Sequence, residues 1–254
     1  MKYNFEKEVK LFKIFDLLGD TERTGPILWK IERKRLEDVK NHILDLLLIM
    51  RILKKYLPQN LDFDKMVDYI ICHDLPEAIT GDITKFEGVS EEEITRVTNI
   101  AIQYLSTTFN DVLDFSTILN QYENKTDIES KVVHMIDKVH SSTTFIKYQS
   151  EKNVDMNNPE IISILRNHPF VVQKIAEGKD LADIFFEFHQ QAVCFTEEEI
   201  KRYGISEEEA NKIVAVIKAF SNEIYFQKQN GAWSNVENDF PIEAMKYNRR
   251  NKYR

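Results

Sequence analysis

The chain has 254 residues, 43% of them hydrophobic, enough to bury a sizeable core in one helical domain or one domain with an appendage. A net charge of −8 gives nucleic acid no electrostatic attraction over the surface as a whole. Only 7 glycines and 6 prolines are present, too few for the many turns of a sandwich or barrel, so an all-α fold is expected.

At the N-terminus, Lys2, Glu6, Lys7 and Glu8 put charges where a signal peptide needs apolar residues. The longest apolar run, Leu46 to Met50, is far too short to span a bilayer. Cys72 and Cys194 lie in apolar helical contexts and fit a reduced compartment better than a disulfide framework. The expectation is a soluble, cytoplasmic protein.

From Leu36 to Leu57 apolar residues recur every three to four positions (Leu36, Val39, Ile43, Leu46, Leu47, Met50, Leu53, Leu57), which predicts a central helix ended by Pro58. The next helix starts near Leu61, with Asp62 as its cap, and buries Met66, Val67, Ile70, Ile71 and Leu75. Pro76 should kink or loosen it, because proline lacks the amide donor and crowds the preceding turn. Gly81-Asp82 marks a turn. Ser90 to Glu93 is a capping box that opens a helix burying Ile94, Val97, Ala101, Tyr104 and Leu105. A short helix is expected around Phe115 to Tyr122. A long one follows, capped by Thr126 or Asp127, with Ile128, Val132, Met135, Ile136, Val139 and Phe145 on its apolar side. Later helices are expected over 159–177 and 181–195, and Ser206 with Glu209 caps another over 207–227. No strand alternation and no internal repeat is visible. Residues 1–230 read as one helical unit, with a core at about 20–150 and an extension over 151–230. Residues 231–254 read as an irregular basic tail.

The chemistry concentrates at His73-Asp74, beside Glu77, at the end of an apolar helical run. Charged groups are rarely set into such a stripe without partners, and a divalent cation would be one. Glu77 is four residues after His73, so both are expected on one side of the helix. His42 lies in register with Leu46, Ile49 and Leu53 and should face the core. Asp137 sits on the apolar flank of the long helix, where a bare carboxylate needs a cation or hydrogen bonds. Two imidazoles and two carboxylates suit Mn, Co, Fe, Zn or Mg. Each has an ordinary alternative: a hydrogen-bonded core histidine for His42, a polar helix end for His73 and Asp74, an internal salt bridge for Asp137.

An early helical histidine, a His-Asp pair and a distal Asp-Lys together resemble the HD-domain metal-dependent phosphohydrolases. The run His73-Asp74-Leu75-Pro76-Glu77-Ala78-Ile79-Thr80-Gly81-Asp82-Ile83 is similar to the His-Asp-x-x-Glu-x-x-x-Gly-Asp-Ile segment of the YfbR-like 5'-deoxynucleotidases. Val39 to His42 resembles the segment of the first histidine, and Asp137-Lys138 the distal pair. The likeness covers about residues 20–150. It implies an HD-domain helical bundle with additional C-terminal helices, and one divalent metal on His42, His73, Asp74 and Asp137. It also implies a proton-handling Glu77, and an Asp82 that contacts the water or the sugar. The subgroup's Arg-Trp pair is replaced here by Arg23, with the nearest tryptophan at Trp29, and Asn41 stands where an acidic residue is usual. Arg23, Trp29 and Lys138 are the candidate substrate contacts.

The expected activity is removal of phosphate from a nucleotide, foremost a (deoxy)nucleoside 5'-monophosphate. A triphosphate phosphohydrolase, a phosphodiesterase and a nucleotide-binding regulatory module with little turnover use the same site and stay open. The expected partner is a small-molecule nucleotide, not nucleic acid or membrane, and the wide apolar helices are compatible with a homodimer. His134 is a competing ligand on spacing alone, which the family pattern places outside the ligand set. His140, His168 and His189 read as ordinary structural or surface residues. Phe185, Phe186 and Phe188 read as core or oligomer contacts in preference to a base-stacking platform.

Overall fold

The computed structural model describes residues 3–32, 36–84, 87–150, 154–155, 158–165, 169–179, 181–229 and 241. Among them are thirteen helices and no strand, with one isolated antiparallel bridge between Glu22 and Asp38. Apart from Pro241, the expected basic tail over 231–254 lies outside the described residues, as does His168.

Two helices precede the first predicted one: α1 (Glu6–Leu17) and the short α2 (Thr24–Leu28). Helix α3 (Val39–Leu53) is shorter than its apolar stripe. It begins late because the Asp38 side chain accepts from the Asn41 amide and caps it. It ends early in tight turns, with the Tyr56 and Leu57 amides both donating to the Leu53 carbonyl. Val39, Ile43, Leu46, Ile49, Met50 and Leu53 are buried, and His42 is buried among them.

Helix α4 (Phe63–Cys72) is capped by Asp62 as expected, through the Asp64 and Lys65 amides. The effect of Pro76 is larger than a kink. The helix stops at Cys72, turns occupy 73–76, and a separate four-residue helix α5 (Glu77–Thr80) follows. Next come α6 (Glu91–Phe109), α7 (Phe115–Glu123) and α8 (Ile128–Ser150). Ser90 accepts from the Glu93 amide, Asp114 from Thr117 and Asp127 from Ser130, so three predicted or implicit caps open these helices.

The helix expected over 159–177 is two, α9 (Pro159–Leu165) and α10 (Pro169–Ala176). Pro169 lacks an amide to continue the first. Then follow α11 (Leu181–Ala192), α12 (Glu197–Tyr203) and α13 (Glu207–Gln229). Helix α12 was not expected, and it carries a complete capping box between Thr196 and Glu199.

Helix α8 is the central element and packs on α3, α4, α7, α11 and α13. The main hydrophobic core runs from Leu18 to Ile217 in sequence, with Val132, Val133, Met135, Ile136 and Val139 of α8 at its centre. A smaller cluster of Ile161, Val171 and Ile184 has Trp29 and Phe185 packed against it. Both cysteines are free, Cys72 buried and Cys194 exposed. Among the described residues no helix is long and apolar enough to cross a membrane.

Candidate metal centre and active site

Helices α3 and α8 and the end of α4 deliver four side chains to one point. His42 Nε2 lies 3.4 Å from Asp74 Oδ2 and 3.3 Å from Asp137 Oδ1, and His73 Nε2 lies 3.2 Å from Asp74 Oδ2. Ligand atoms of His42, His73 and Asp137 all fall within 4.8 Å of one another. Both imidazoles are buried, and each Nε2 has no hydrogen-bond partner. Orphaned buried nitrogens are costly in a native core unless something occupies the space they face.

Hydrogen bonds behind the rings set which nitrogen is available. His73 Nδ1 is 2.9 Å from the Ile70 carbonyl, which can only accept, so Nδ1 carries the proton and Nε2 presents its lone pair to the cluster. His42 Nδ1 is 2.8 Å from His140 Nδ1, and His140 Nε2 is 3.2 Å from Asp45 Oδ2. If His140 donates from Nε2 to that carboxylate, its Nδ1 accepts from His42, whose Nε2 is again left with a lone pair. Glu37, His42 and His140 form a second close group. Since its two facing nitrogens are already hydrogen-bonded to each other, it serves as wiring behind the first group. His140, which the sequence reading set aside, is therefore part of the site. His134 is not: it stacks on Tyr122 at 3.9 Å, and its Nε2 donates to the Tyr122 carbonyl.

Electrostatics separate the carboxylates. Against the pull of burial, the imidazoles of His73 and His42 and the guanidinium of Arg23 hold Asp74 below the usual carboxylate range. Asp137 also stays low, where Lys138 and His42 outweigh burial. Burial, and then the charges of Asp74 and Asp82, push Glu77 well above its ordinary value. Asp82 is raised too, by burial above all. Burial and the nearby Arg23 bring His42 down to about 3, so it is neutral. Burial lowers the pKa of His73, and Asp74 more than reverses this. Such divergence between neighbouring carboxyls marks sites that move protons.

Glu77 does not share a helix with His73, contrary to the expectation from spacing. Starting α5 after the break, it still lines one cavity with His73 and Asp74, and its Oε2 is buried without a partner. The turn ends at Gly81, whose φ of 76° and ψ of 165° suit glycine alone. Asp82 then accepts from the Thr24 amide at 2.7 Å, and the Thr24 hydroxyl donates to the Asp82 carbonyl. These bonds tie α2 to the site. Arg23, the residue before α2, reaches Asp74 Oδ2 at 3.3 Å and Asp82 at 3.8 Å. Lys138 Nζ is 3.2 Å from Asp137 Oδ2, with its side chain 46% exposed. Asn41 donates to Asp38 and helps cap α3.

Two cavities flank the cluster. One, of about 600 Å³, is lined by His73, Asp74, Glu77, Asn99, Asn120 and Glu123 among others, with no Lys or Arg among the described residues. The other, of about 410 Å³, is lined by Arg23, Glu37, Asp82 and Lys138 together with Trp29, Phe185 and Phe188. The Trp29 ring meets Phe145 edge-on at 4.3 Å and Phe185 at 5.5 Å. It also lies close over Gly25, where an added Cβ would come within 3.3 Å of the ring. Phe185 and Phe188 thus face a cavity beside the cluster, while Phe186 stacks on Tyr225.

The residues present fit a divalent cation. Two buried imidazole nitrogens, His42 Nε2 and His73 Nε2, point inward without hydrogen-bond partners, and the carboxylates of Asp74 and Asp137 lie within 3.4 Å of them. A mixed set of nitrogen and carboxylate donors at one buried point suits a divalent cation.

A family model described as HD domain matches residues 15–192. Among curated proteins, the 5'-deoxynucleotidase YBR242W of Saccharomyces cerevisiae is 29% identical over 133 residues, 48% of this chain and 54% of its own length. The chain therefore spans about half of that relative. The 5'-deoxynucleotidase HDDC2 of Homo sapiens is 22% identical over 173 residues, 66% of this chain and 83% of its own. A solved structure named as a predicted metal-dependent phosphohydrolase from Magnetospirillum magnetotacticum superposes with a TM-score of 0.51 at 10% identity. That match covers 89% of this chain and 93% of the other, and it speaks to the fold alone.

Proposed function

The chain belongs to the HD-domain family, and from that premise we propose that it is a metal-dependent phosphohydrolase that removes phosphate from a nucleoside 5'-monophosphate. One observation carries the reading: two buried imidazole nitrogens without partners converge with Asp74 and Asp137 beside the guanidinium of Arg23. The relatives named as 5'-deoxynucleotidases support the choice of substrate class.

His42, His73, Asp74 and Asp137 would hold the ion, which when bound would supply Lewis-acid charge and a more acidic water. The rest of the work falls to the chain. Arg23 and Lys138 offer cationic donors to the phosphate oxygens, whose charge grows as the ester bond to the sugar breaks. Asp82 holds Arg23 and α2 in place. Glu77, which lines one cavity with His73 and Asp74 and whose buried Oε2 has no partner, is the carboxyl placed to orient the attacking water or exchange a proton with it.

Phosphate release from mono-, di- and triphosphates, each with Mn, Co, Mg and Zn in turn, tests the proposal. Orthophosphate from monophosphates alone is the expected result. Release of pyrophosphate or tripolyphosphate would replace it with a triphosphate hydrolase. Asp74→Ala should abolish both turnover and bound metal; survival of both would refute the ligand assignment.

A further inference from the structure

The two cavities beside the cluster differ in a way that assigns the substrate to one of them. A phosphate ester is anionic, and of the two cavities only the 410 Å³ one has cations, Arg23 and Lys138, among its described lining residues, beside the carboxylates of Glu37 and Asp82. The larger one presents carboxylates and amides. The smaller cavity is also lined by three rings, Phe185, Phe188 and His189, all supplied by α11. Its volume lies in the range of about 300–1,000 Å³ that small-molecule sites occupy. Helix α11 packs directly on α8, which carries Asp137 and Lys138, so the aromatic wall is held at a fixed distance from the phosphate end.

His189 is the unusual member. Its Nδ1 is buried without a well-formed hydrogen bond, the Phe185 backbone one turn earlier being the group within its reach, and the ring lines the cavity beside Phe185 and Phe188. The ring runs nearly parallel to that of Phe185, 19° apart at 6.2 Å, and sits edge-on to Phe188 at 5.5 Å.

We propose that Phe185, Phe188 and His189 form a nucleobase subsite, in which the base lies against the phenyl rings and His189 hydrogen-bonds its edge. This rests on the nucleotide reading of the site. It adds that the chain discriminates among nucleotides by the base, with a helix that lies outside the part of the chain carrying the motifs. Burial and the charge of Lys138 bring the imidazole down to about 4, so at neutral pH one ring nitrogen donates and the other accepts.

The test is calorimetric binding to the full chain loaded with Mn²⁺. The probes are hydrolysis-resistant phosphonate analogues of the four deoxynucleoside monophosphates and the base-free deoxyribose 5-phosphonate. At least one base-bearing analogue should bind about ten-fold or more tighter than the base-free one, the order of a single base–aromatic stack. Phe188→Ala and His189→Ala should each remove most of that difference and leave the base-free affinity within about two-fold, whereas His189→Gln, which keeps a donor and an acceptor, should restore part of it. Unaltered base-free binding also serves as the control for folding. Equal binding of all probes by the wild type, or equal weakening of all probes in the variants, overturns the subsite. Phosphate release decides the parent reading separately. Base-selective binding without any release would sink the phosphohydrolase while the subsite stands; release with no base preference would do the reverse.

Discussion

At the scale of single residues, the hydrogen-bond relay from Asp45 through His140 to His42 carries a prediction. If His140 fixes the His42 tautomer, His140→Phe should lower divalent-metal affinity by about 10- to 100-fold, the usual loss when the partner behind a ligating histidine is removed. His140 is buried at 2% exposure, so the phenyl ring fills the space and the fold should persist by circular dichroism. Unchanged Mn²⁺ affinity in a calorimetric titration would show the relay to be incidental. The sequence made His73-Asp74 conspicuous because charge in an apolar stripe demands a partner. His42 and Asp137 were legible for the same reason, each placed among residues that had to be buried. His140 was not, because a second histidine one turn after Asp137 looks identical whether it faces a ligand or only the core. Its role depends on a contact 98 residues away in sequence. Likewise the spacing of Phe185, Phe188 and His189 cannot say whether an aromatic helix face meets a core or a cavity.

At the scale of elements, caps and apolar periodicity announced most helices, since both are local: Asp62, Ser90, Asp127 and Ser206 each accept from an amide within the first turn. Helix ends were less readable. Periodicity continues through Leu57 because the residues after Leu53 still bury side chains, although the backbone has left the helix. The short α2 has no periodicity to detect, and its position depends on the distant Asp82. The junction from α4 to α5 is the element on which the site turns. Gly81 ends it in a backbone region open almost only to glycine, and nothing lies near its missing side chain. The effect of Gly81→Ala is therefore conformational, with a cost of about 1–3 kcal/mol. Relief of that strain would swing Asp82 away from Thr24 and loosen Arg23. Gly81→Ala is expected to lower chemical-denaturation stability by that amount and to raise KM for the phosphate ester more than it weakens metal binding. Wild-type stability and KM in this variant would mean that the turn does not hold Arg23.

At the scale of the whole molecule, the scarcity of glycine and proline made the helical class legible, but not which helices meet. That was fixed by α8, which joins the motif-bearing helices to α11 and α13 through one continuous core. The candidate metal centre lies where α3, α8 and the end of α4 converge, so a bound ion would link three segments far apart in sequence. Without one, His42 Nε2 and His73 Nε2 stay buried without hydrogen-bond partners at that point. Folding and metal binding should therefore be linked. A cation held at about 100 times its Kd stabilises the folded state by roughly 2.7 kcal/mol when the unfolded chain does not bind it. For a protein of this size each kcal/mol moves Tm by about 2–4 °C, so Mn²⁺ added to chelator-treated protein should raise Tm by about 5–10 °C. In Asp137→Ala the same addition should give almost no rise, because Asp137 comes from α8 and completes the link between the helices. An equal rise in wild type and Asp137→Ala would place the stabilising ion elsewhere on the surface and remove the structural basis for a metal at this convergence.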